Sequence, residues 1–377
     1  MKFELRLFDE ALLRFEASPR EADPGYRITW VAPGKEHLLP HGFSPTAQGL
    51  SEWIRRRTIP KNRAFVSTLL ARYGLSPNRP MAVIALCKGL SLNDSYWVTE
   101  EGDDSTFAKV NLFDNPMSQL LAQVAFTGCG SSQLPRLASS PEFTTNGMLP
   151  KCWRRIGGTV FLYKGGSSGF ANAGFEPYSE YYAAEVAGSM GLSHADYQLH
   201  RWKGVLCSSC ELFTSKELSY VPMLAAVSES GFEGVRALCA SLGPQYEQAL
   251  SDMLAFDAVI CNTDRHLGNF GFLVESRTNR IAAPAPLFDH GDSLFHHAYG
   301  DDWSSPEALA AYAAAQAPCL YADFFDTARE LMTKETRGKV RGLLEFSFTR
   351  GPKKGFPKRR LELIEGQIRE RSRQLLA

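Results

Sequence analysis

The sequence predicts an α+β protein in which a β-rich part precedes a helix-rich part. Short strand-like runs alternate with turn clusters over the first third of the chain, and strands joined by glycine turns follow them. From Pro244 onward, and again beyond Pro306, apolar residues recur at helical spacing. With 377 residues and roughly 150 residues per domain, the chain is expected to form two domains and a third, smaller part.

The composition is that of an ordinary globular protein. The chain has 41 Lys and Arg residues against 41 Asp and Glu residues, and 44% of it is hydrophobic, which excludes a disordered, collagen-like or coiled-coil protein. A net charge of zero argues against nucleic acid or an acidic membrane as the main partner. Residues 331–377 carry 13 Lys and Arg against 5 Asp and Glu, which is more typical of a solvated helix face than of a nucleic-acid contact.

Neither a signal peptide nor a membrane span is predicted. Charged residues interrupt the apolar ones at the N-terminus, and no later stretch reaches the roughly 18 apolar residues that span a bilayer. The protein is therefore expected to be cytoplasmic.

The eight cysteines include one close pair, Cys207 and Cys210. Their spacing places them on opposite faces of a strand, so we expect reduced thiols rather than a disulfide or a zinc site.

The first part of the chain, residues 1–127, is expected to be an accessory domain. Residues 3–8 and 26–31 are predicted as strands, and residues 51–73 are predicted as a helix because their apolar side chains recur at helical spacing. Small and turn-forming residues cluster at 128–135, where the periodicity stops. This cluster predicts a linker.

Strands and tight turns next predict a small β-sheet. The strand-like residues 142–145, 151–155 and 159–164 are separated by the turn sequences Asn-Gly and Gly-Gly. A helix is predicted over residues 179–188. A long helix is then expected to begin at Pro244, because proline suits the first helical position.

A polar loop follows the long helix. Asp264, His266 and Asn269 lie close together between an apolar helix and a strand-like run, where a purely structural segment rarely concentrates such groups. Residues 270–288 predict a hairpin, whose open end would bring Asn269 beside Asp289. The side-chain oxygens of these two residues suit a hard cation such as Mg²⁺.

Together these residues predict phosphoryl transfer. Asp264 would accept or orient the proton of the attacking hydroxyl, while Asn269 and Asp289 would hold the metal. Asp and Asn also cap and turn ordinary loops, and either residue alone favours that structural role. The joint pattern favours phosphoryl transfer. His266 is a candidate general base at neutral pH, although such a histidine, like Arg265 beside it, more often braces the loop, and bracing is favoured here.

A cation for the nucleotide phosphates is predicted at Lys164, the last residue of an apolar strand. Glu180, at the start of the following helix, is the expected partner, and Glu185 is the competing carboxylate. The alternative is that Lys164 is a solvent-exposed strand end, which is the commoner environment for a lysine. The preceding loop, with Gly147 and Lys151, is a weak signal alone, because one glycine does not make a phosphate cradle.

These motifs resemble those of one known family. Residues 262–269 (NTDRHLGN) and 288–291 (FDHG) are similar to the catalytic and metal-binding loops of the HipA-like serine/threonine kinases. Residues 144–151 are similar to the family's phosphate loop, in which a glycine lies four residues before a lysine. The resemblance covers about residues 130–377.

The resemblance extends to two further segments and implies a fold. Residues 179–182 are similar to the helix that bears the ion-pair glutamate, here Glu180, and Glu211-Leu-Phe213 is similar to the hinge that meets adenine. The implied architecture is a two-lobed kinase-like fold with a small β-rich lobe and a larger helical lobe. An additional N-terminal α/β domain would precede them. The corresponding divisions are residues 128–215 for the nucleotide-binding lobe and residues 216–377 for the catalytic lobe.

The resemblance also implies cofactors and partners. They are ATP, Mg²⁺ and a protein substrate modified on serine or threonine, in some members an aminoacyl-tRNA synthetase. Many members are the toxin of a toxin–antitoxin pair, which implies a small DNA-binding antitoxin. Family members phosphorylate a serine in their own phosphate loop. Thr144 stands at that position here, so Thr144, or failing it Thr145, is the expected site of autophosphorylation.

Three alternative functions remain at this stage. A small-molecule or lipid phosphotransferase would share the same loop, because these residues do not choose the acceptor. A metal-dependent phosphoesterase would use Asp264, His266 and Asp289, but two-metal hydrolases generally need more carboxylate and histidine ligands. A nucleotide-binding or antitoxin-docking module with little catalysis is the third. The presence of Lys164 and Asn269 beside the two aspartates argues against loss of activity.

Overall fold

The computed structural model describes residues 1–22, 24–130, 140–169, 172–227, 231–349 and 355–377. By its internal contacts the chain divides into two compact units. The first contains Met1–Lys164, Glu211–Val221 and Leu273–Ala282, and the second contains Gly165–Cys210, Pro222–Phe272 and Ala283–Ala377. The three-part division expected from the sequence stays a prediction. Most of the predicted linker, residues 131–135, lies outside the described residues.

An antiparallel sheet organises the N-terminal part of the first unit. The elements here, in chain order, are β1 (Lys2–Leu7), β2 (Glu10–Glu16), β3 (Arg27–Val31), α1 (Ala47–Arg56), α2 (Val66–Ala71), α3 (Pro80–Cys87), β4 (Tyr96–Glu100), α4 (Phe107–Val110), α5 (Gln119–Thr127), β5 (Lys151–Ile156) and β6 (Thr159–Gly165). The first four strands form this sheet, in the order β3-β2-β1-β4. Leu5 of β1 lies opposite Leu13 and Val98, and all three are buried in one apolar cluster. Alternating apolar residues thus give this sheet a core face.

The predicted helix over residues 51–73 is wrong as a single element. α1 and α2 are separate, and the chain between them leaves the helical conformation. Pro60 has no backbone N–H and disfavours helical geometry at the preceding Ile59, which explains the break. Phe65, just before α2, has a φ of 60°. The helical spacing of apolar residues correctly indicated a helix on each side of the break, but it did not indicate the break itself.

β5 and β6 form the predicted hairpin. The register pairs Lys151 with Lys164 at one end and Ile156 with Thr159 at the other. Gly157 and Gly158 turn the chain with φ values of 58° and 91°, a conformation that needs glycine because both residues are left-handed.

The strand predicted at residues 142–145 is wrong. Pro141–Phe143 is a short 3-10 helix, and the side chain of Ser140 accepts a hydrogen bond from the Glu142 N–H (3.4 Å). The N–H of Thr144 closes the turn on Pro141 (3.1 Å). A capping serine followed by proline is a helix-start signal, and here it outweighs the strand propensity of the two threonines.

A buried helix is the centre of the second unit. The remaining elements of the chain, which belong to either unit, are in chain order α6 (Glu176–Ser189), β7 (Gln198–Trp202), β8 (Val205–Glu211), β9 (Leu218–Pro222), α7 (Met223–Ala226), α8 (Phe232–Leu242), α9 (Pro244–Ile260), β10 (Gly271–Glu275), β11 (Arg280–Pro284), α10 (Pro306–Ala314), α11 (Phe324–Leu331), α12 (Lys334–Arg341) and α13 (Lys358–Leu376). β9 and most of the β10–β11 hairpin lie in the first unit. α9 packs against α8, α11, α12 and α13. Its last eleven residues are all buried. The helical character predicted for this part of the chain is confirmed.

The ends of α9 follow the predicted signals. Pro244 occupies the first turn, after Gly243 with a φ of 113°, and the helix ends at Cys261, whose φ of 53° is left-handed. A left-handed residue stops the helical hydrogen-bond pattern and turns the chain sharply. The polar loop therefore starts immediately after a rigid, buried helix.

The cysteines agree with the expectation of reduced thiols. Every cysteine of the chain lies in the described residues, and none of them forms a disulfide. Cys207 and Cys210 both lie buried in β8.

Within the described residues, no helix is long and apolar enough to cross a membrane.

Candidate active site

The polar loop, residues 262–269, is tied back to the end of α9. The N–H of Asn262 donates to the carbonyl of Asp257 (3.0 Å), and the Asn262 amide nitrogen donates to Asp257 Oδ1 (2.9 Å). The amide oxygen of Asn262 in turn accepts from the N–H of Asp264 (3.3 Å). The backbone of Asp264 is thereby held by a chain of hydrogen bonds that begins in the buried helix.

A buried ion pair stands behind the loop. Arg265 donates from Nε to Asp257 Oδ2 (2.8 Å) and from Nη2 to Asp257 Oδ1 (2.9 Å), and both side chains are fully buried. Burial lowers the pKa of Arg265, but the charge and hydrogen bonds of Asp257 outweigh burial and leave it above its usual value. Arg265 is therefore a permanent cation. Asp257 therefore has a structural role, with the side chains of Asn262 and Arg265 as its main partners.

Arg265 also joins two loops. Its Nη1 donates both to the carbonyl of Asn269 (3.0 Å) and to the carbonyl of Phe288 (2.9 Å). Phe288 directly precedes Asp289. The β10–β11 hairpin returns the chain to this point, as its predicted length required. Arg265 therefore braces the loop of Asn269 and the residue before Asp289 together. The expectation that Asn269 and Asp289 lie side by side stays a prediction.

The backbone of Asp289 is fixed by a second buried residue. Its φ of 60° is left-handed, a conformation that aspartate tolerates better than most residues. Its N–H donates to the phenol oxygen of Tyr197 (3.1 Å). Burial, followed by the charge of Glu180, raises the pKa of Tyr197 well above its usual value, so this phenol stays neutral. No motif in the sequence pointed to Tyr197.

The oxygen donors in these loops fit Mg²⁺. The amide nitrogen of Asn269 donates to the Asp264 carbonyl (3.1 Å), which leaves its amide oxygen as the atom for a cation. Asp289 supplies a half-buried carboxylate. Within the described residues, no group of three or more His, Cys, Asp or Glu side chains could hold a metal. Mg²⁺ is bound in nucleotide sites through one or two carboxylates, with phosphate oxygens and water as its other ligands, so this small donor set suits it.

The two remaining polar residues of the loop, Asp264 and His266, are both exposed. His266 Nδ1 accepts a hydrogen bond from the N–H of Gly268 (3.0 Å), and a Cβ on Gly268 would lie 2.8 Å from the His266 ring. This contact is a local turn, as the bracing interpretation expected. The catalytic role assigned to His266 stays a prediction.

The loop after Asp289 contributes a further residue, Asp292. The carbonyl of Asp292 accepts from the N–H of Thr263 (3.3 Å), and its carboxylate pairs with His297 Nε2 (2.8 Å). Burial raises the pKa of Asp292, whereas the charge of His297 opposes that shift. The backbone of Asp292 thus also holds the polar loop, at Thr263. Its position three residues after Asp289 was the available signal.

Two lysines of the first unit lie at the end of the phosphate loop, which comprises residues 144–151. Lys151 and Lys164 are directly opposite in the hairpin, and each is only 6% exposed. The alternative of a solvent-exposed Lys164 is therefore wrong. Gly147 has a φ of 93°, and a Cβ there would lie 2.1 Å from Lys151 Nζ, so the ammonium group lies against the loop.

The two threonines of the loop are held by hydrogen bonds. Thr144 Oγ1 donates to the carbonyl of Leu90 (2.7 Å) and is buried. Thr145 Oγ1 donates to the carbonyl of Pro141 (2.7 Å) and accepts from Trp153 Nε1 (2.9 Å). Neither hydroxyl is free in this conformation.

The carboxylates proposed for the ion pair have different environments. Glu180 is fully buried and accepts a hydrogen bond from the Ser208 hydroxyl. Glu185 Oε1 instead accepts from the N–H (2.5 Å) and hydroxyl (2.6 Å) of Thr349. This structural contact argues against Glu185 as the competitor. The pairing of Lys164 with Glu180 stays a prediction.

The predicted hinge belongs to the first unit. Glu211 is exposed, and the N–H of the following Leu212 donates to the carbonyl of Val160 (2.9 Å) in β6. The ring of Phe213 packs edge-on against Tyr220, with centroids 5.8 Å apart. The role of Glu211 and Phe213 in adenine binding stays a prediction.

In sequence, part of this chain is similar to a kinase. No protein-family model matches this chain. The chain is 28% identical over 135 residues to the serine/threonine-protein kinase CtkA of Helicobacter pylori, a match that covers 32% of this chain and 41% of that protein. The chain thus matches less than half the length of this curated relative.

Solved structures give matching folds. A HipA chain from the Shewanella oneidensis MR-1 complex of HipA, HipB and operator DNA superposes with a TM-score of 0.58 at 12% identity, covering 99% of this chain and 97% of that one. The structure of the proinflammatory kinase CtkA from H. pylori matches with a TM-score of 0.48 at 18% identity, covering 60% and 91% of the respective chains. The mixed α and β fold expected from the sequence is confirmed by the HipA match.

Proposed function

We propose that this chain, a member of the HipA-like serine/threonine kinase family by its fold and local sequence similarity, transfers the γ-phosphoryl group of ATP to a serine or threonine of a protein. The observation that carries the proposal is the contact of Arg265 with the carbonyls of Asn269 and Phe288 (3.0 and 2.9 Å). Through it, one buried cation fixes the two loops that contain the proposed acid–base and metal-binding residues.

Each proposed role follows from the chemistry of the residue. Asp264 would accept the proton of the attacking hydroxyl, because its exposed carboxylate is held on a fixed backbone. Asn269 and Asp289 would hold Mg²⁺, which when bound neutralises negative charge on the transferred phosphoryl group. Lys151 and Lys164 would bind the nucleotide phosphates. Little covalent chemistry is required of the protein, so positioning and charge dominate.

Partners are proposed from the relatives. The solved HipA complex contains HipB and operator DNA, which supports a small DNA-binding antitoxin as a partner of this chain. A translation-related protein such as an aminoacyl-tRNA synthetase is the proposed substrate, in the cytoplasm. Nucleic-acid contact through the basic residues 331–377 stays a secondary expectation.

Nucleotide titration tests the proposal. Purified protein should bind ATP, with tighter binding when Mg²⁺ is present, and a cell lysate with labelled ATP should then contain a labelled protein acceptor. A labelled lipid or small molecule in place of a labelled protein would move the assignment to the alternative phosphotransferases. Absence of ATP binding with and without Mg²⁺ would overturn it.

The lysines give a separate prediction. Lys164→Ala and Lys151→Ala should each weaken ATP binding by roughly tenfold or more, because each removes a charge-assisted contact to phosphate from a buried position. Lys216→Ala is the matched control, since Lys216 pairs with Asp114 at the surface of the same unit (2.7 Å). Calorimetric titration with ATP measures the effect. Unchanged affinity in Lys164→Ala, with a loss in Lys151→Ala, would assign the phosphate contact to Lys151 alone.

Autophosphorylation is a further prediction. Incubation with ATP and Mg²⁺ should place a phosphate on Thr144, or on Thr145, and lower the activity. The phosphate adds about −1.5 to −2 charges and removes the Thr144 hydroxyl as donor to Leu90, so it would displace the loop and compete for Lys151. Mass spectrometry locates the modification. Phosphate found only outside residues 139–151, or full activity in Thr144→Glu, would contradict the prediction.

A further inference from the structure

A short segment of the N-terminal region runs along the phosphate loop. We refer to residues 59–64 as the brace. The N–H of Ile59 donates to the carbonyl of Phe143 (2.8 Å), and the N–H of Ala64 donates to the carbonyl of Met148 (2.9 Å). The two ends of the brace are thereby bonded to the residue before the loop and to a residue within it.

Arg63 supplies the buried side-chain contacts of the brace, and Asn62 adds an exposed contact from its amide nitrogen to the Met148 sulfur (2.9 Å). Arg63 Nη1 donates to the carbonyl of Thr145 (3.2 Å), and its Nη2 donates to the carbonyl of Lys151 (2.5 Å). Arg63 is 3% exposed, so these bonds are shielded from water. One guanidinium therefore spans the phosphate loop from near its beginning to its end.

A buried carboxylate accompanies Arg63. Glu142 is 1% exposed, and its Oε1 accepts from the N–H of Trp153 in β5 (3.0 Å). Burial lowers the pKa of Arg63 to about 10, opposed by the charge of Glu142, so Arg63 remains a cation at neutral pH. Burial also raises the pKa of Glu142 to about 7, so this carboxyl is only partly ionised there. Burial of a charged group is costly without such partners, which indicates that the position of Arg63 is strongly determined.

The geometry suits a loop that binds an anion. Backbone N–H groups that bind phosphate leave the carbonyls of the same loop in need of donors elsewhere. Arg63 satisfies two of these carbonyls, at Thr145 and Lys151, on either side of Gly147. The second carbonyl belongs to the lysine whose ammonium lies against Gly147. Loss of Arg63 would release both the loop backbone and the backbone that carries this lysine.

We propose that Arg63 is a positioning residue for the phosphate loop, and that the brace sets the affinity of the protein for nucleotide phosphates. This inference rests on the proposed function and gives the N-terminal region a part in it. Arg63 acts through the loop backbone and contacts no reacting atom. Its loss should therefore affect ATP binding more than the rate of the chemical step.

The test compares two buried arginines of the same unit. Arg63→Met removes the contacts to the loop while keeping much of the side-chain volume, and Arg63→Lys keeps the charge but not the two-armed geometry. Arg57→Met is the matched control. Arg57 is also buried; it donates to the carbonyls of Gly89 and Tyr96 (2.6 Å each) and pairs with Asp94, so its described hydrogen bonds all go to partners outside residues 144–151.

Two readouts are measured on the full chain. Without nucleotide, amide hydrogen exchange of residues 144–151 should accelerate in Arg63→Met and not in Arg57→Met. With ATP, the KM of Arg63→Met should rise by roughly tenfold or more, the order expected for lost hydrogen bonds to a charged donor, with a smaller change in kcat. Arg63→Lys should lie between wild type and Arg63→Met in both readouts.

The outcomes separate the brace from the proposed function. Unchanged exchange of residues 144–151 in Arg63→Met and Arg63→Lys would overturn the inference, whatever the protein does with ATP. An equal rise in KM for Arg57→Met would overturn it as well, because general destabilisation would then explain the effect. A wild-type chain that binds no ATP would overturn the proposed function, and the exchange experiment would still decide whether Arg63 holds the loop.

Discussion

Asp264→Asn is expected to lower the rate of phosphoryl transfer by about 10³-fold or more while leaving the melting temperature unchanged. Asparagine keeps the size of the side chain and cannot accept the proton of the attacking hydroxyl. The wild-type carboxylate is exposed, and the described contacts of this residue with Asn262 and Asn269 use its backbone. The fold should therefore tolerate the change. Single-turnover rates at saturating ATP, with thermal melts of the same samples, measure the effect.

The control for this variant is Asp326→Asn. Asp326 is a surface aspartate of the same unit that pairs only loosely with Arg329 (3.2 Å), so its loss changes net charge by the same amount without touching the loop. Activity of Asp326→Asn should equal that of wild type. Near-normal transfer by Asp264→Asn would remove Asp264 from the mechanism.

Asp289→Asn is expected to lose transfer rate to a degree comparable with Asp264→Asn, and to need a higher Mg²⁺ concentration for its remaining activity.

The second large effect concerns stability. Arg265→Met and Asp257→Asn should each lower the free energy of unfolding by about 3–5 kcal/mol, because each leaves a buried charge without its partner. Both side chains are fully buried in the wild type and share two hydrogen bonds of 2.8 and 2.9 Å. Urea unfolding measures the loss. A change below about 1 kcal/mol for both variants would contradict the importance given to this pair.

A double variant separates stability from positioning. Asp257→Leu with Arg265→Met replaces both charges by apolar side chains, which often restores most of the stability lost on breaking a buried pair. Activity should remain low, because no donor then joins the carbonyls of Asn269 and Phe288. A stable double variant with normal activity would show that the loops do not need Arg265.

The two loops of the candidate site could be predicted because their residues are local. Asp264, His266 and Asn269 occupy one short segment, and the hairpin length gives the position of Asp289 with simple strand geometry. Tyr197 could not be predicted. It contacts Asp289 across 92 positions of sequence, and a single buried tyrosine carries no motif. The role of Arg265 was foreseen only as bracing, without its partners.

The first unit shows where sequence patterns are insufficient. The strand propensity of Thr144 and Thr145 suggested a strand, but the start signal at Ser140 and Pro141 produced a short helix. Arg63 gave no signal at all, because its partners Thr145 and Lys151 lie 82 and 88 residues away. Contacts of this kind depend on tertiary packing, which spacing within one segment does not encode.

The fate of the ATP γ-phosphate tests the central claim most directly. Purified wild-type protein and Asp264→Asn are incubated with γ-labelled ATP, Mg²⁺ and the protein acceptor found in the lysate, and the labelled amino acids of that acceptor are identified. The account predicts label on serine or threonine of the acceptor with wild type and essentially none with Asp264→Asn. Label released only as free phosphate, or equal labelling by the two proteins, would contradict it.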